Sequence, residues 1–273
     1  MVNCERKYSN RMRGYFISHI NGFLKYRSLL GELVLRDIKV RYRKSFLGLS
    51  WTVLNPLLMM AVMVVVFSQL FRSNVDNYPL YLIIGNIIFG FFSSATTMGL
   101  NSVLWNSALI KKVYIPKYLF PLSVTVSSLV NFGFSAISMV IVMVITRAKV
   151  SLLLLALPLP FFYLFMFTFG VSMILSAVNV YFRDIEHLYG VVITAWMYLT
   201  PIFYTIDIVP DWARPFVFYN PLTQFIKYFR LLIMDGIFPS FQMNMGCFIL
   251  GFAMMAIGMD IFASLQDKFI LYI

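Results

Sequence analysis

The chain has 273 residues, 60% of them hydrophobic and 12% charged, where an ordinary soluble domain carries about 25% charged residues. It holds 22 Lys and Arg against 11 Asp and Glu, for a formal charge of +11, with two cysteines and two histidines. These values exclude a soluble enzyme. They also speak against a nucleic-acid binder, because no reading module accompanies the basic charge, and against a disulfide framework or a zinc site on Cys4, Cys247, His19 and His187.

Residues 1 to about 28 read as a basic polar tail without the pattern of a cleavable signal peptide. From Leu29 to Lys44 the spacing predicts a surface helix. Glu32, Arg36, Lys39 and Arg43 share one face and Leu30, Leu33, Val34 and Ile38 lie on roughly the other. Asp37 and Arg41 intrude on the apolar side, four residues apart and so able to pair with each other. Such a helix lies in the membrane interface and does not cross it.

Six stretches without Asp, Glu, Lys or Arg follow: Leu49 to Phe71, Tyr78 to Ile110, Tyr118 to Thr146, Val150 to Phe182, Leu188 to Ile206 and Ile237 to Met259. Each is near or above the roughly 20 residues needed to cross the hydrocarbon, where one charge costs about 2.5–3.5 kcal/mol. The predicted fold class is therefore an all-α polytopic membrane protein. It has six transmembrane helices, an amino-terminal interfacial amphipathic helix, and short outer re-entrant or gate helices between spans five and six. The chain divides into a cytoplasmic basic tail and interfacial helix (1–48), a six-helix permease domain (49–263, with an outer gate region at about 205–236) and a cytoplasmic tail (264–273). Sixteen of the 22 Lys and Arg fall on the side of both termini, which predicts cytoplasmic termini.

Within this frame, Trp51 is an interfacial aromatic and Asn55-Pro56 suits a helix start or kink. Asn106 to Lys117 reads as a small cytoplasmic helix. Ser123, Ser127, Asn131 and Ser135, and Thr168, Ser172 and Ser176, form stripes at four-residue spacing. These read as close helix packing or as the wall of a hydrated path. Between spans five and six, Asn220 can cap a helix whose first residue is Pro221, and Gly236 can stop it. Leu222, Phe225, Ile226, Phe229, Leu232 and Ile233 fall on one face of that helix, Lys227 and Arg230 on another. No P-loop occurs. No paired carboxylates lie at membrane depth, and charge-free spans argue against an ion-coupled carrier, so the energy for any transport must come from elsewhere.

The run from Leu35 to Leu57, LRDIKVRYRKSFLGLSWTVLNPL, resembles the amino-terminal signature of type-2 ABC exporter permeases. The similarity is greatest to the branch that exports O-antigen, capsule and teichoic acid polysaccharides. Lys111 to Pro116 (KKVYIP), Tyr181 to Ile185 (YFRDI), Pro201 to Tyr204 (PIFY), Asn220-Pro221-Leu222, Tyr228 to Arg230 and Asp235-Gly236 follow in family order. The resemblance implies a homodimer in the bacterial cytoplasmic (inner) membrane, working with two copies of a nucleotide-binding ATPase subunit. ATP and Mg would be bound by that subunit and no cofactor by this chain. It implies contacts to the ATPase subunit at Glu32, Arg36, Lys39, Arg43, Trp105, Lys111, Lys112, Arg183, Asp184 and Glu186. It also implies a polymer path or gate that includes Trp196, Tyr198, Pro201, Phe203, Tyr204, Trp212, Phe225 and Phe229, whose rings would stack on sugars or pack between helices. The expected function is translocation of a lipid-linked polysaccharide, with chemical catalysis outside this chain. Alternatives are an ABC permease for a small drug or lipid, a membrane-embedded glycan-modifying enzyme and a secondary flippase.

Overall fold

The computed structural model describes residues 26–43, 47–71 and 75–273. Expectations placed on residues 1–25 (Cys4 and His19 among them), on Lys44 and on Arg72 lie outside the described residues. Every regular element among the described residues is helical. Helix α1 covers 26–42. The long helices are α2 (Ser50–Phe71), α3 (Tyr78–Trp105), α5 (Leu119–Ile145), α6 (Pro158–Tyr181) and α10 (Phe241–Leu265). Shorter ones are α4 (Ser107–Lys112), α7 (Ile185–Leu199), α8 (Arg214–Phe218), α9 (Pro221–Arg230, continued by a π turn over Leu231–Asp235) and α11 (Phe269–Tyr272).

The helices alternate in direction between two ends, and side-chain contacts fix which termini meet. At one end α1 meets the α3–α4 junction through Arg36 and Asn106. There too the end of α6 meets the end of α10 through Tyr181 and the Leu265 carbonyl. At the other end Asn77 caps α3 in a left-handed conformation, accepting from the Leu80 amide, and its amide nitrogen donates to Thr146 Oγ1 beyond α5. The first end carries most of the described Lys and Arg.

Among the described residues, five helical segments are long and apolar enough to cross a membrane. Helix α7 runs between the same two ends but has 15 residues, about 22 Å at 1.5 Å per residue, against roughly 30 Å of hydrocarbon. The charge-free stretch predicted as the fifth span thus splits into a short helix and an irregular segment from Thr200, because Pro201 cannot continue the helical hydrogen bonding.

Helices α6 and α10 pack backbone to backbone. A Cβ added to Gly170 would lie 2.3 Å from the Met254 carbonyl oxygen, and one on Gly258 would lie 2.3 Å from the Gly170 carbonyl oxygen. Two backbones approach this closely only where side chains are absent, the small-residue mode of membrane helix packing. The polar stripe on α6 serves the same end: Thr168, Ser172 and Ser176 are fully buried. One aromatic-rich cluster fills the body of the bundle and a second, around Leu119, Phe120, Phe262 and Phe269, fills the α1 end. Within residues 266–273 the Phe269 ring is buried in this second cluster, while Ile270, Leu271 and Tyr272 are exposed. By contrast α2 buries almost none of its side chains, and of α7 only Tyr189 is buried.

Replacing Gly258 with leucine should force α10 off α6. Overpacking of a tight core costs about 1–3 kcal/mol and sometimes more, so the purified variant should melt several degrees lower, or fail to be recovered folded, in a detergent-solubilised thermal-shift assay. Unchanged melting would contradict the backbone-to-backbone contact.

Candidate functional site

Two places concentrate polar side chains: the α1 end and the break after α7. At the α1 end three segments distant in sequence are tied by asparagines. Arg36 donates through Nη1 to Asn106 Oδ1 at 2.8 Å, and Asn106 Nδ2 donates to the Ser102 carbonyl at 2.7 Å. Asn101 Nδ2 donates to Glu186 Oε1 at 2.9 Å, while Asn179 Nδ2 donates to Asn101 Oδ1 at 3.0 Å and to the Leu100 carbonyl. Asn101, Asn106 and Asn179 are buried. Helix α1, the α3–α4 corner and the α6–α7 connection are thus joined side by side by hydrogen bonds.

The sequence-predicted residues of this end stand on its surface. Glu32, Arg36, Lys39, Arg43, Trp105, Lys111, Lys112, Arg183, Asp184 and Glu186 are all exposed. Trp105 shows 64% of its surface and Tyr114, in the corner next to it, 94%. Such exposure leaves large rings free to dock a partner. Asp37 and Arg41 do not pair with each other. Asp37 is ion-paired with Arg36 at 2.8 Å and accepts from Ser123 Oγ, whereas Arg41 reaches into the bundle to Ser94 Oγ and Met98 Sδ. Tyr42 donates to Asn131 Oδ1 at 2.9 Å. Burial pushes the Tyr42 hydroxyl above its ordinary pKa, with Arg41 pulling it partly back. Lys117 donates to the Gln266 carbonyl. Burial lowers its pKa and Asp267 opposes that shift.

At the other end the backbone from Thr200 to Tyr204 is not helical, and its carbonyls need donors. Arg230 of α9 supplies two, donating through Nη1 to the Pro201 carbonyl at 2.9 Å and through Nη2 to the Ile202 carbonyl at 3.3 Å. Its Nη2 also donates to the Tyr81 carbonyl at 3.1 Å, and its guanidinium lies 3.3 Å from the Tyr81 ring centroid. Tyr78 Oη donates to the Phe203 carbonyl at 2.7 Å and Tyr81 Oη to the Tyr204 carbonyl at 2.8 Å. A Cβ on Gly85 would come within 3.0 Å of Arg230 Nη2 and 3.1 Å of Ile202, so the clamp also needs that glycine. Asn220 completes the joint. Its Oδ1 caps α9 through the Leu222 amide and accepts from Trp196 Nε1 at 2.9 Å, and its Nδ2 donates to Thr200 Oγ1 at 2.9 Å.

The predicted apolar face of α9 is buried throughout, and Gly236 terminates the π turn at φ 62°. Arg230, which the spacing puts on another face than these apolar residues, points into the protein. The aromatic candidates divide. Phe225 and Phe229 are fully buried, Phe203 is stacked on Phe67 at 5.5 Å, and Trp196 packs edge-on against Phe92 at 5.1 Å. A ring without an open face cannot stack on a sugar, so Phe203, Phe225 and Phe229, with buried Pro201, frame the outer joint. Tyr198 and Trp212 present 61% and 77% of their surface, and Tyr204 is half-buried with its hydroxyl donating to the Tyr198 carbonyl. Among the described residues no three of His, Cys, Asp and Glu come together where they could share a metal ion.

Replacing Arg230 with methionine keeps the volume and removes every donor. A buried acceptor left without a partner costs about 1–3 kcal/mol. The variant should melt at lower temperature, and protease added on the α8 side should cut between 205 and 219 faster than in the parent. Arg230→Lys should recover only part of the loss, since an ammonium cannot reproduce the planar fork. Equal cleavage of all three proteins would contradict the clamp.

Comparison with known proteins agrees with this architecture. The family model for ABC-2 type transporters matches residues 28–234. The chain is 30% identical over 247 residues to the O-antigen export system permease protein RfbA of Myxococcus xanthus, covering 90% of this chain and 95% of that one. It is 32% identical over 243 residues to RfbA of Klebsiella pneumoniae, covering 88% and 93%. It is 20% identical over 223 residues to the polysialic acid transport protein KpsM of Escherichia coli, covering 79% and 85%. The match takes in α1, both polar ends and five of the six helices that run between them, and on that extent this chain belongs to the ABC-2 type transporter family.

Proposed function

We propose that this chain is the membrane-spanning subunit of an ATP-driven exporter that carries a lipid-linked polysaccharide, of O-antigen or capsule type, outward across the bacterial cytoplasmic membrane. The observation that carries the reading is the union at one end of three exposed, charged elements by buried asparagines, beside six stretches that hold no Asp, Glu, Lys or Arg to take energy from an ion gradient. A surface of this kind suits a motor that pushes from outside. The polysaccharide comes from the relatives, which this chain matches across about nine-tenths of both lengths and which are named for O-antigen export.

In this reading the motor is a separate nucleotide-binding subunit that holds ATP and Mg, docked on α1, on the corner at Trp105 to Pro116 and on Phe182 to His187. The basic end faces the cytoplasm, as the excess of Lys and Arg there favours. Two copies of the chain form the path, and the bare faces of α2 and α7 are the surfaces available to line it or to meet the second copy. Closure of the motor moves α1 and the α6–α7 connection together. Helix α7, short and held at its far end by Arg230 and Asn220, carries that movement to the α8–α9 region.

Loss of the chain should leave lipid-linked polymer inside the cell, and its return should clear it; cells that stay clear without it would contradict the cargo assignment. Arg183→Ala with Asp184→Ala should reduce recovery of the ATPase subunit in a pull-down and lower export at least several-fold. Asn101→Leu should lower export while the ATPase subunit is still recovered, because it severs the link behind the docking surface. If both variants export at the parent rate, the coupling role of this end is wrong.

A further inference from the structure

A cavity of about 520 Å³ lies between α1, α2, α3 and α5, on the bundle side of α1. Its volume is in the range of small-molecule sites, about 300–1,000 Å³, and its lining is unusual for a chain this apolar. Arg41 and Tyr42 stand at its α1 side. Asn55 contributes from α2, Asn86 and Ser94 from α3, and Ser128, Asn131 and Ser135 from α5, with the Trp51 ring at the rim. Polar groups shut away from water are costly unless something satisfies them, and Arg41, carried by the interfacial helix α1, reaches in to side chains of α3.

Two independent observations point to a ligand. Asn131 is 7% exposed and Ser128 2%, yet Asn131 Nδ2 and Ser128 Oγ have no hydrogen-bond partner within the protein. The Tyr42 hydroxyl occupies Asn131 Oδ1, which orients the amide so that its donor, not its acceptor, is left over. Arg41 adds the charge. Its side-chain partners are Ser94 Oγ, Met98 Sδ and the neighbouring Tyr42 hydroxyl, all neutral, and among the described residues no carboxylate lies within ion-pair distance of it. The nearest candidate by sequence, Asp37, is engaged by Arg36 and Ser123. The surplus is therefore one-sided: a guanidinium, an amide N–H and a hydroxyl that all can donate, and no anion to receive them. A phosphate oxygen cluster matches that surplus, since guanidinium binds phosphate through paired charge-assisted bonds. Trp51 and the basic face of α1 place the site at interfacial depth, where lipid phosphates lie.

We propose that this cavity binds the phosphate head of a membrane lipid, with Arg41 as its counter-ion, Asn131 and Ser128 as neutral donors, and the remaining polar wall (Asn55, Asn86 and Ser135) facing whatever the phosphate carries. The site exists in the isolated chain and does not require the export reading. That reading adds one possibility, that the lipid is the carrier of the cargo.

The test uses the purified full-length chain in neutral detergent. It is titrated with short-chain phosphatidylglycerol, with a short-chain prenyl diphosphate, with inorganic diphosphate and with a phosphate-free diacylglycerol, and bound ligand is counted by native mass spectrometry. The parent should bind one or both phosphate lipids saturably and the diacylglycerol at least 10-fold more weakly. Arg41→Gln should weaken the phosphate lipids at least 10-fold. Asn131→Asp, which keeps the acceptor for Tyr42 and adds a like charge, should do the same with thermal stability retained. Ser128→Ala should weaken them a few-fold. Preference for the prenyl diphosphate would identify a cargo carrier, preference for phosphatidylglycerol a bulk lipid, and binding of inorganic diphosphate as tight as either lipid a free-phosphate site and not a lipid site. Equal binding by the parent, Arg41→Gln and Asn131→Asp, or equal affinity for the diacylglycerol, would overturn the proposal. Polymer accumulation in cells is scored separately, so loss of lipid binding with normal export would leave the transport reading standing and remove only the cargo-carrier assignment.

Discussion

A backbone carbonyl in hydrocarbon has no water to bond, and each one left bare costs several kcal/mol. That constraint decides the shape of this chain. Five segments meet it with unbroken helices. The sixth stretch breaks at Pro201 and exposes the carbonyls of Pro201, Ile202, Phe203 and Tyr204, and the protein answers with donors drawn from two other helices. Arg230 covers two of these carbonyls, Tyr78 and Tyr81 the others. The arrangement ties the outer end of α7 to α3 and α9 through side-chain hydrogen bonds.

The opposite end obeys the same rule with different chemistry. Here the polar groups lie near the membrane boundary, where charges can remain in water, and the buried linkers are neutral amides. Asn101 and Asn106 join α1 and the α6–α7 connection to the α3–α4 corner, leaving the charged side chains outside. Helix α7 begins at this joint and ends at the Arg230 clamp, so a 15-residue helix bridges the two polar regions of the molecule. Among the described residues, its outward apolar face and that of α2 are left largely uncovered.

Much of this was legible in the sequence because hydrocarbon penalises charge so heavily. The five long helices and the exposure of Lys111, Arg183 and Asp184 follow from where charge is absent or clustered, and the capped helix from Pro221 follows from Asn220, Pro221 and the apolar spacing after them. What could not be read is which polar residues pair across helices. Arg230 sits on the polar side of its own helix by periodicity, and only the approach of α3 at Gly85 turns that side inward. Asn101 and Asn106 look like ordinary polar residues at a helix end; their positions five apart at the close of α3 are a signal in hindsight only once α1 and the α6–α7 connection are known to flank that corner. The aromatic rings pose the same difficulty. Phe203, Phe225 and Phe229 have the composition of a sugar-stacking wall, but tertiary packing closes over them, while Tyr198 and Trp212 are left open.

The central claim is that this chain is a conduit whose energy enters from a separate ATPase at the asparagine-tied end. It is tested most directly by reconstituting the chain in vesicles, with and without that subunit, and following movement of labelled lipid-linked polymer. Movement should require both the subunit and ATP and should be indifferent to a proton or sodium gradient. Gradient-driven movement of polymer by this chain alone would contradict it.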